Sequence, residues 1–202
     1  SDVYKRQGYH VDRVQGNIVY DNGLVRIDDA QLSIGAGNAK VKGQYVVDTG
    51  DFDAVANVHA LSLDTFTQDM TMPITGTIDG EIHVLGKNNQ VTDLVGAVQG
   101  HQIGVRGVVI DSVKADLTHS DNLTNITMVG KMGTGSFSGY GSIQNGQVDA
   151  TVSGNAMPLT SLSPIIGEDV AGTLSTSINV KGALDNPCLL YTSPSPRDRT
   201  RS

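Results

Sequence analysis

Gly76–Asn88 reads GTIDGEIHVLGKN, and a related stretch, GTLSTSINVKGAL, returns 96 positions later at Gly172–Leu184. The register extends upstream across several further glycines, and VDRVQGNI then matches IDSVKADL at an offset of 99. Tandem copies of one module are typical of elongated repeat arrays. We therefore expect two β-rich modules, at residues 8–100 and 101–187.

The two ends of the chain look like inverted copies of one DNA element. The opposite strand of a DNA sequence that encodes CLLYTS, at Cys188–Ser193, encodes DVYKRQ, which is Asp2–Gln7. This element resembles the transposon end used in sequencing-library preparation. We therefore expect 1–7 and 188–202 to be adaptor scars, the second of them disordered, around an internal fragment of a longer protein.

Charge and cysteine usage exclude several classes of function. The net charge of −7 becomes −10 without the terminal segments, which carry five basic and two acidic residues. A nucleic-acid partner requires basic surface to displace counterions, so we expect none. The only cysteine, Cys188, lies in a terminal segment, which leaves no disulfide framework or thiol chemistry. No apolar run has membrane-spanning length, so we expect membrane contact only through flanking segments missing from this sequence.

Apolar and polar residues alternate with a period of two along almost the whole chain, which is typical of strands covered on one face. Asn22-Gly23 and Asn145-Gly146 are signals for two-residue hairpins. The alternation breaks at 61–70 and 158–167, where Pro164 limits any helix to about one turn. We predict an all-β fold: an elongated antiparallel sheet curled into a taco-like groove or solenoid, with at most short helical turns.

The apolar side of this sheet has no helical layer to cover it, and a fully open face would exceed the apolar patches of soluble monomers. Several of its positions hold small residues, such as Gly80, Gly130, Gly154 and Ala54. These favour a partly unfilled apolar channel, and the alternative is that the glycines mark bends or bulges. The predicted channel lining comprises Ile27, Leu32, Ile34, Val41, Phe52, Ala54, Ala56, Val58, Ile78, Ile82, Val84, Leu117, Ile126, Met128, Phe137, Val148, Val152, Leu174, Ile178 and Val180.

Three stretches, GTIDGEIHVLGKNNQ, GTLSTSINVKGALDNP and YDNGLVRIDDAQLSIGAGNAKVKG, resemble the repeats of the TamB/AsmA-like family of bacterial envelope proteins. The shared pattern is a glycine-bounded strand, a short turn and often a proline, as at Gly182–Pro187, together with an NGLVRIDD-like hairpin. The resemblance covers Gly8–Pro187, although Pro187 has no counterpart in the first copy.

This resemblance implies a periplasmic protein of the cell envelope, anchored to the inner membrane through a segment absent from this sequence. Its groove would shelter phospholipid or another acyl lipid in transit between the inner and outer membranes, or assist outer-membrane protein assembly. An outer-membrane β-barrel is the second partner that the resemblance implies. Each CH₂ kept from water contributes ~0.8 kcal/mol, so an apolar lining can hold an acyl chain without catalytic residues.

Patterns for catalysis and metal binding are missing from the sequence. No H-E-x-x-H motif or Cys/His pairing occurs, so we expect solvated strand faces for the histidines. DTGDFD at 48–53 lacks the spacing of a calcium loop and predicts a polar turn. We expect no enzyme activity, no cofactor and no metal. The five histidines are His10, His59, His83, His101 and His119.

The alternative function is a structural β-solenoid stalk of the adhesin type with a filled interior.

Overall fold

The structure, a computed structural model, describes residues 12–67, 73–167, 171–183 and 186–192. Within these ranges the chain forms one antiparallel sheet. The strands of the first half are β1 (Arg13–Gln15), β2 (Ile18–Asp21), β3 (Leu24–Ile34), β4 (Gly37–Val46), β5 (Asp51–Ser62), β6 (Ile74–Lys87) and β7 (Gln90–Val105). Those of the second half are β8 (Val108–Ser120), β9 (Leu123–Met132), β10 (Gly135–Gln144), β11 (Gln147–Pro158), β12 (Thr173–Ala183) and β13 (Asn186–Thr192).

Short helical turns interrupt the strands where the alternation of the sequence breaks. Helix α1 (Asp64–Thr67) follows β5, and a 3₁₀ turn (Leu159–Leu162) with helix α2 (Ser163–Ile166) follows β11. Pro164 lies in the first turn of α2, where its missing N–H costs nothing. Gly167 ends α2 with a left-handed φ of 79°. The prediction of an all-β fold with at most short helical turns is confirmed.

The strands follow one another as a meander from β3 to β13. β1 and β2 both pair with β3 and form a single interrupted strand at its outer edge. Two-residue turns join β2 to β3, β3 to β4 and the successive strands from β6 to β11. Asn22 and Gly23 have the positive φ angles, 45° and 81°, of a type I′ hairpin. Among the described strands, the β1–β2 edge and β13 are the two ends of the sheet and do not meet. The sheet is therefore not closed, in agreement with the predicted elongated antiparallel sheet curled into a groove.

Equivalent positions of the two sequence copies carry the same local structure. Gly76 and Gly172 both have positive φ angles, 111° and 125°. Leu63 donates its N–H to the carbonyl oxygen of Gly76 at 2.9 Å, and Leu159 donates to that of Gly172 at 3.0 Å. We call the helical segments between β5 and β6 and between β11 and β12 the crossovers. Each copy thus ties its crossover to the start of the strand that follows it.

A second shared feature lies at the β3–β4 and β9–β10 turns. Gly35 and Gly133 both have a φ of 58°. The N–H of Gly35 donates to Oδ2 of Asp12 at 2.7 Å, and the N–H of Gly133 donates to Oδ2 of Asp111 at 2.6 Å. The carboxylates of the preceding strand therefore fix both hairpin turns.

Two details bear on the expected chain organisation. β7 runs continuously across the predicted module border between residues 100 and 101. Within the segment predicted as the second scar, the backbone of Cys188–Thr192 pairs with β12. An open strand edge accepts any extended chain through main-chain hydrogen bonds, whatever its side chains. Residues 193–202 and the scar predicted at 1–7 lie outside the described residues.

Candidate functional site

Residues that pair across neighbouring strands point to the same side of a sheet, so the register assigns each residue to a face. One row of partners crosses the molecule from β4 to β12 and contains only aliphatic side chains, alanine and glycine. Every predicted lining residue lies on the face that this row defines. The row comprises Val41, Ala56, Ile82, Gly96, Leu117, Ile126, Gly141, Ala150 and Val180.

A neighbouring row extends the same apolar face from β3 to β12. It also contains no charged or hydrogen-bonding side chain. Together the two rows give the sheet a continuous apolar surface, broken in the next row by His119 and Thr124, whose Nδ1 and Oγ1 atoms lie 2.8 Å apart. This second row comprises Leu32, Ala39, Val58, Gly80, Val98, Ala115, Met128, Gly139, Val152 and Ile178.

The apolar face is only half-covered. Ile34 is buried, with 9% of its surface exposed, and the other predicted lining residues are half-buried. No large side chain in the described part of the chain is fully buried. The small core comprises Val108, Met132 and Met157, with Leu162 of the crossover packed against it. The crossover thus covers one end of the face and leaves the rest of the lining open.

The inward glycines do not leave empty space above them, which corrects the prediction of an unfilled channel at these positions. A Cβ atom on Gly130 would collide with the ring of Phe137, its cross-strand partner. The same holds for Gly86 beneath the ring of Phe52. The rings of Phe137 and Phe52 thus cover these two glycines. The glycines therefore shape the floor of the groove.

The opposite face is polar and carries carboxylate–histidine pairs that the sequence alone did not reveal. Nδ1 of His59 lies 2.6 Å from Oδ1 of Asp79, and Nε2 of His101 lies 3.9 Å from Oδ2 of Asp79. The N–H of Ala60 also donates to Asp79 at 3.1 Å. These groups lower the pKa of Asp79, the Ala60 N–H first and the two histidines after it.

A similar pair joins Nε2 of His83 to Oδ1 of Asp53 at 2.7 Å. Both side chains are nearly half exposed, so solvent screens this interaction. No group of three or more potential metal ligands occurs in the described ranges. Asp51 accepts the N–H of Asn88 at 3.3 Å, as expected of a polar turn.

Two shallow cavities lie on this polar face and not on the apolar one. The first has a volume of about 600 Å³ and is lined by Lys114, Lys131 and several serines. The second, of about 720 Å³, lies beside Tyr140 and the Lys181–Asp149 ion pair, whose atoms are 2.9 Å apart.

No helix in the described residues is long and apolar enough to cross a membrane. None of the protein-family models, curated proteins or solved structures compared with the chain matches it.

Proposed function

We propose that the apolar face shelters the acyl chains of a phospholipid or another acyl lipid. The observation that carries this proposal is the pair of uninterrupted apolar rows, one from β4 and one from β3 to β12, whose members are half-buried except for the buried Ala39, Gly96 and Gly139. Exposed apolar surface of this extent is unfavourable in water and marks an interaction site. An acyl chain bound across the strands would exclude water from the apolar face and from its own surface.

The hydrophobic free energy that would hold an acyl chain does not depend on the direction of the contacts, so an apolar lining of this kind suits such a ligand. Each acyl CH₂ transferred from water contributes ~0.8 kcal/mol. Aliphatic side chains offer contacts along the whole face without selecting one ligand geometry. The face therefore suits a flexible hydrocarbon better than a rigid ligand, which would require convergent polar groups.

The alternative, a structural stalk with a filled interior, requires inward side chains that pack against one another across a closed core. The open edges of the sheet and the half-exposed lining favour the lipid proposal over the stalk. The family resemblance adds the wider role: movement of lipid between inner and outer membranes, or assistance to outer-membrane protein assembly, from a periplasmic position. An outer-membrane β-barrel partner and an inner-membrane anchor belong to the same proposal, which assigns no enzymatic step.

The direct test is mass spectrometry of lipid that co-purifies with the chain from a bacterial envelope without detergent. Ala56 lies between Val41 and Ile82 on the apolar face, whereas its neighbour Val55 faces the other side of the sheet. We expect Ala56→Phe, which fills the groove with apolar bulk, to lower the lipid bound per chain. Val55→Phe places the same aromatic side chain on the polar face and should leave bound lipid unchanged.

Circular dichroism establishes whether both variants keep the sheet. A folded wild-type chain that brings no lipid, and takes up none from phospholipid vesicles, would contradict the proposal. Equal loss of lipid from both folded variants would also contradict it, because the apolar face would then not be the binding surface.

A further inference from the structure

The outer edge formed by β1 and β2 exposes apolar side chains that lie on the apolar face. Val14 is 65% exposed and Ile18 is 69% exposed. Their partners on β3 are Leu32 and Ile27, which belong to the predicted lining. Among the described strands, β3 alone pairs with β1 and β2. The edge thus presents both free main-chain groups and an unprotected strip of apolar surface.

The second copy shows what covers the equivalent strip. By the 99-residue offset, β8 corresponds to β1 and β2, and Val113 and Leu117 correspond to Val14 and Ile18. Val113 and Leu117 are half-buried, because β7 pairs along the edge of β8. Among the described residues, the same strip is therefore covered in one copy and bare in the other.

Side-chain sizes match along the covered edge. Gly96 faces Leu117 and Gly100 faces Val113. Between them, Val98 faces Ala115. Over this stretch of β8, Val113 and Leu117 thus each meet a glycine of β7, and Ala115 meets a valine. This alternation fixes the register, because a shift of one residue would turn the β7 side chains to the other face.

The bare edge keeps the same order of sizes. Val14, Gly16 and Ile18 stand in the places of Val113, Ala115 and Leu117, so the sequence is again large, small, large. A strand with the pattern of β7 would set glycine against Val14 and Ile18 and a branched aliphatic residue against Gly16. The unpaired main-chain N–H and C=O groups of any exposed edge can bind another strand, whereas the alternation of side-chain sizes selects which strand binds.

We propose that the β1–β2 edge binds an extended strand of the β7 type by strand addition. In this complex Gly96 of the added strand lies opposite Ile18, Val98 opposite Gly16 and Gly100 opposite Val14. The added strand continues the apolar face beyond β1 and β2. The inference rests on edge geometry and repeat equivalence, and it holds whether or not the face carries lipid.

The test is amide hydrogen exchange of the full chain with a synthetic peptide of the β7 sequence, QVTDLVGAVQGHQIGV. We expect the peptide to slow exchange in β1 and β2 and to leave the β9 and β10 amides unchanged. The control peptide carries valine at the two positions equivalent to Gly96 and Gly100, which sets large residues against large ones. It should protect the edge at least tenfold less well, about 1.4 kcal/mol in binding free energy.

A matched pair of chain variants locates the site. Ile18→Lys places a charge on the edge, and Tyr140→Lys places the same charge at a residue 65% exposed on the polar face. Only Ile18→Lys should abolish the protection by the peptide. Because both side chains are exposed, both variants should fold, as circular dichroism would verify.

Three results would overturn the proposal. The first is no protection of β1 and β2 at saturating peptide. The second is equal protection by the two peptides, which would reduce the edge to unspecific main-chain pairing. The third is concentration-dependent self-association of the free chain that protects this edge, detected by sedimentation, because a second copy would then be the occupant. Lipid binding is measured in a separate experiment, so a negative result for strand addition would not decide the lipid proposal.

Discussion

Ala60 and Ala156 lie 96 positions apart and have the same left-handed backbone conformation, with φ 49° at both. Each lies within a shift of strand register. The shift falls between Val58 and Leu61 in the first copy and between Gly154 and Met157 in the second. The N–H of Ala60 donates to Oδ1 of Asp79 at 3.1 Å, and that of Ala156 donates to Oγ of Ser175 at 3.0 Å. One bulge is therefore held by a charged acceptor and the other by a neutral one.

Replacing the left-handed alanine by glycine should stabilise the fold. An L-residue at positive φ costs about 1–2 kcal/mol, and glycine avoids this strain at an entropic cost of about 0.5–1 kcal/mol. We expect Ala60→Gly to raise the free energy of unfolding by about 0.5–1 kcal/mol, measured by urea denaturation. Ala54→Gly, at an ordinary extended position of β5, should lower it. A lower stability for Ala60→Gly would show that the bulge relaxes when the residue is free to leave it.

Asp79 should make the stability of the chain depend on pH in acid solution. Its pKa lies below the ordinary value of 3.8, mainly because of the Ala60 N–H and then because of His59. A lowered folded-state pKa stabilises the fold above the unfolded-state value, and this contribution disappears as the pH falls through the folded-state pKa. Wild-type stability should therefore decline from about pH 5 downward, where the unfolded carboxylate begins to bind protons.

The second copy supplies the matched variant for this prediction. Asp79→Ser keeps an acceptor for the Ala60 N–H, as Ser175 does for Ala156, but it removes the charge. We expect the stability difference between wild type and Asp79→Ser to shrink as the pH falls from 6 to 3. Asp93, whose pKa is lowered mainly by the Ser120 hydroxyl, titrates in both chains and cancels in the comparison. A difference that stays constant with pH would contradict the assignment.

The face of the sheet that each residue occupies was predictable from the sequence. Both the period-two alternation and the strand register place alternate residues of a strand on the same face. Ile82 and Glu81 differ by one position and therefore face opposite sides, whatever their neighbours are. The same rule placed His59 and His83 on the solvated face. The expectation was wrong for His119, which the register places on the apolar face, with Nδ1 2.8 Å from Oγ1 of Thr124. Local sequence was enough here because each strand is long and the turns between strands are short.

Relations between strands that depend on bulges were not predictable from the pattern. Asp79 meets His59 and His101 because β5 and β6 shift register beside Ala60 and β6 shifts against β7 near Gly76. A bulge changes the pairing by a residue without leaving a clear mark in the alternation. The seating of Phe137 over Gly130 is similar, since a glycine in a strand signals either a bend or a close neighbour. Only the fold decides between them.

The glycine beneath Phe137 should be intolerant of substitution. A Cβ at Gly130 would overlap the ring, so Gly130→Ala should destabilise the chain by about 1–3 kcal/mol through overpacking. At Gly96 a Cβ would make ordinary contact with Ile82, at 3.4 Å from its Cγ1, and Gly96→Ala should be neutral or slightly stabilising. Thermal unfolding of the two variants measures the contrast. Partial recovery in the double variant Gly130→Ala/Phe137→Leu would identify the ring as the cause.

Thr67 should be the polar side chain on which the first crossover depends. It is 6% exposed and is the buried polar residue of the described chain. Its Oγ1 accepts the N–H of Ile74 at 2.8 Å and lies 2.7 Å from the carbonyl oxygen of Ile74 and 3.0 Å from that of Leu63, to one of which it donates. The hydroxyl therefore ties the end of α1 to the start of β6.

Thr67→Val keeps the shape of the side chain and removes both hydrogen-bonding functions. It leaves the Ile74 N–H without this acceptor, so we expect a loss of about 1–3 kcal/mol in the free energy of unfolding. Thr67→Ser retains the hydroxyl and should lose less, because it gives up only the packing of one methyl group. Hydrogen exchange at Ile74 reports on the bond itself and should accelerate only in the valine variant. A larger loss in the serine variant than in the valine variant would mean that packing of the methyl group, not the hydroxyl, anchors the crossover to the sheet.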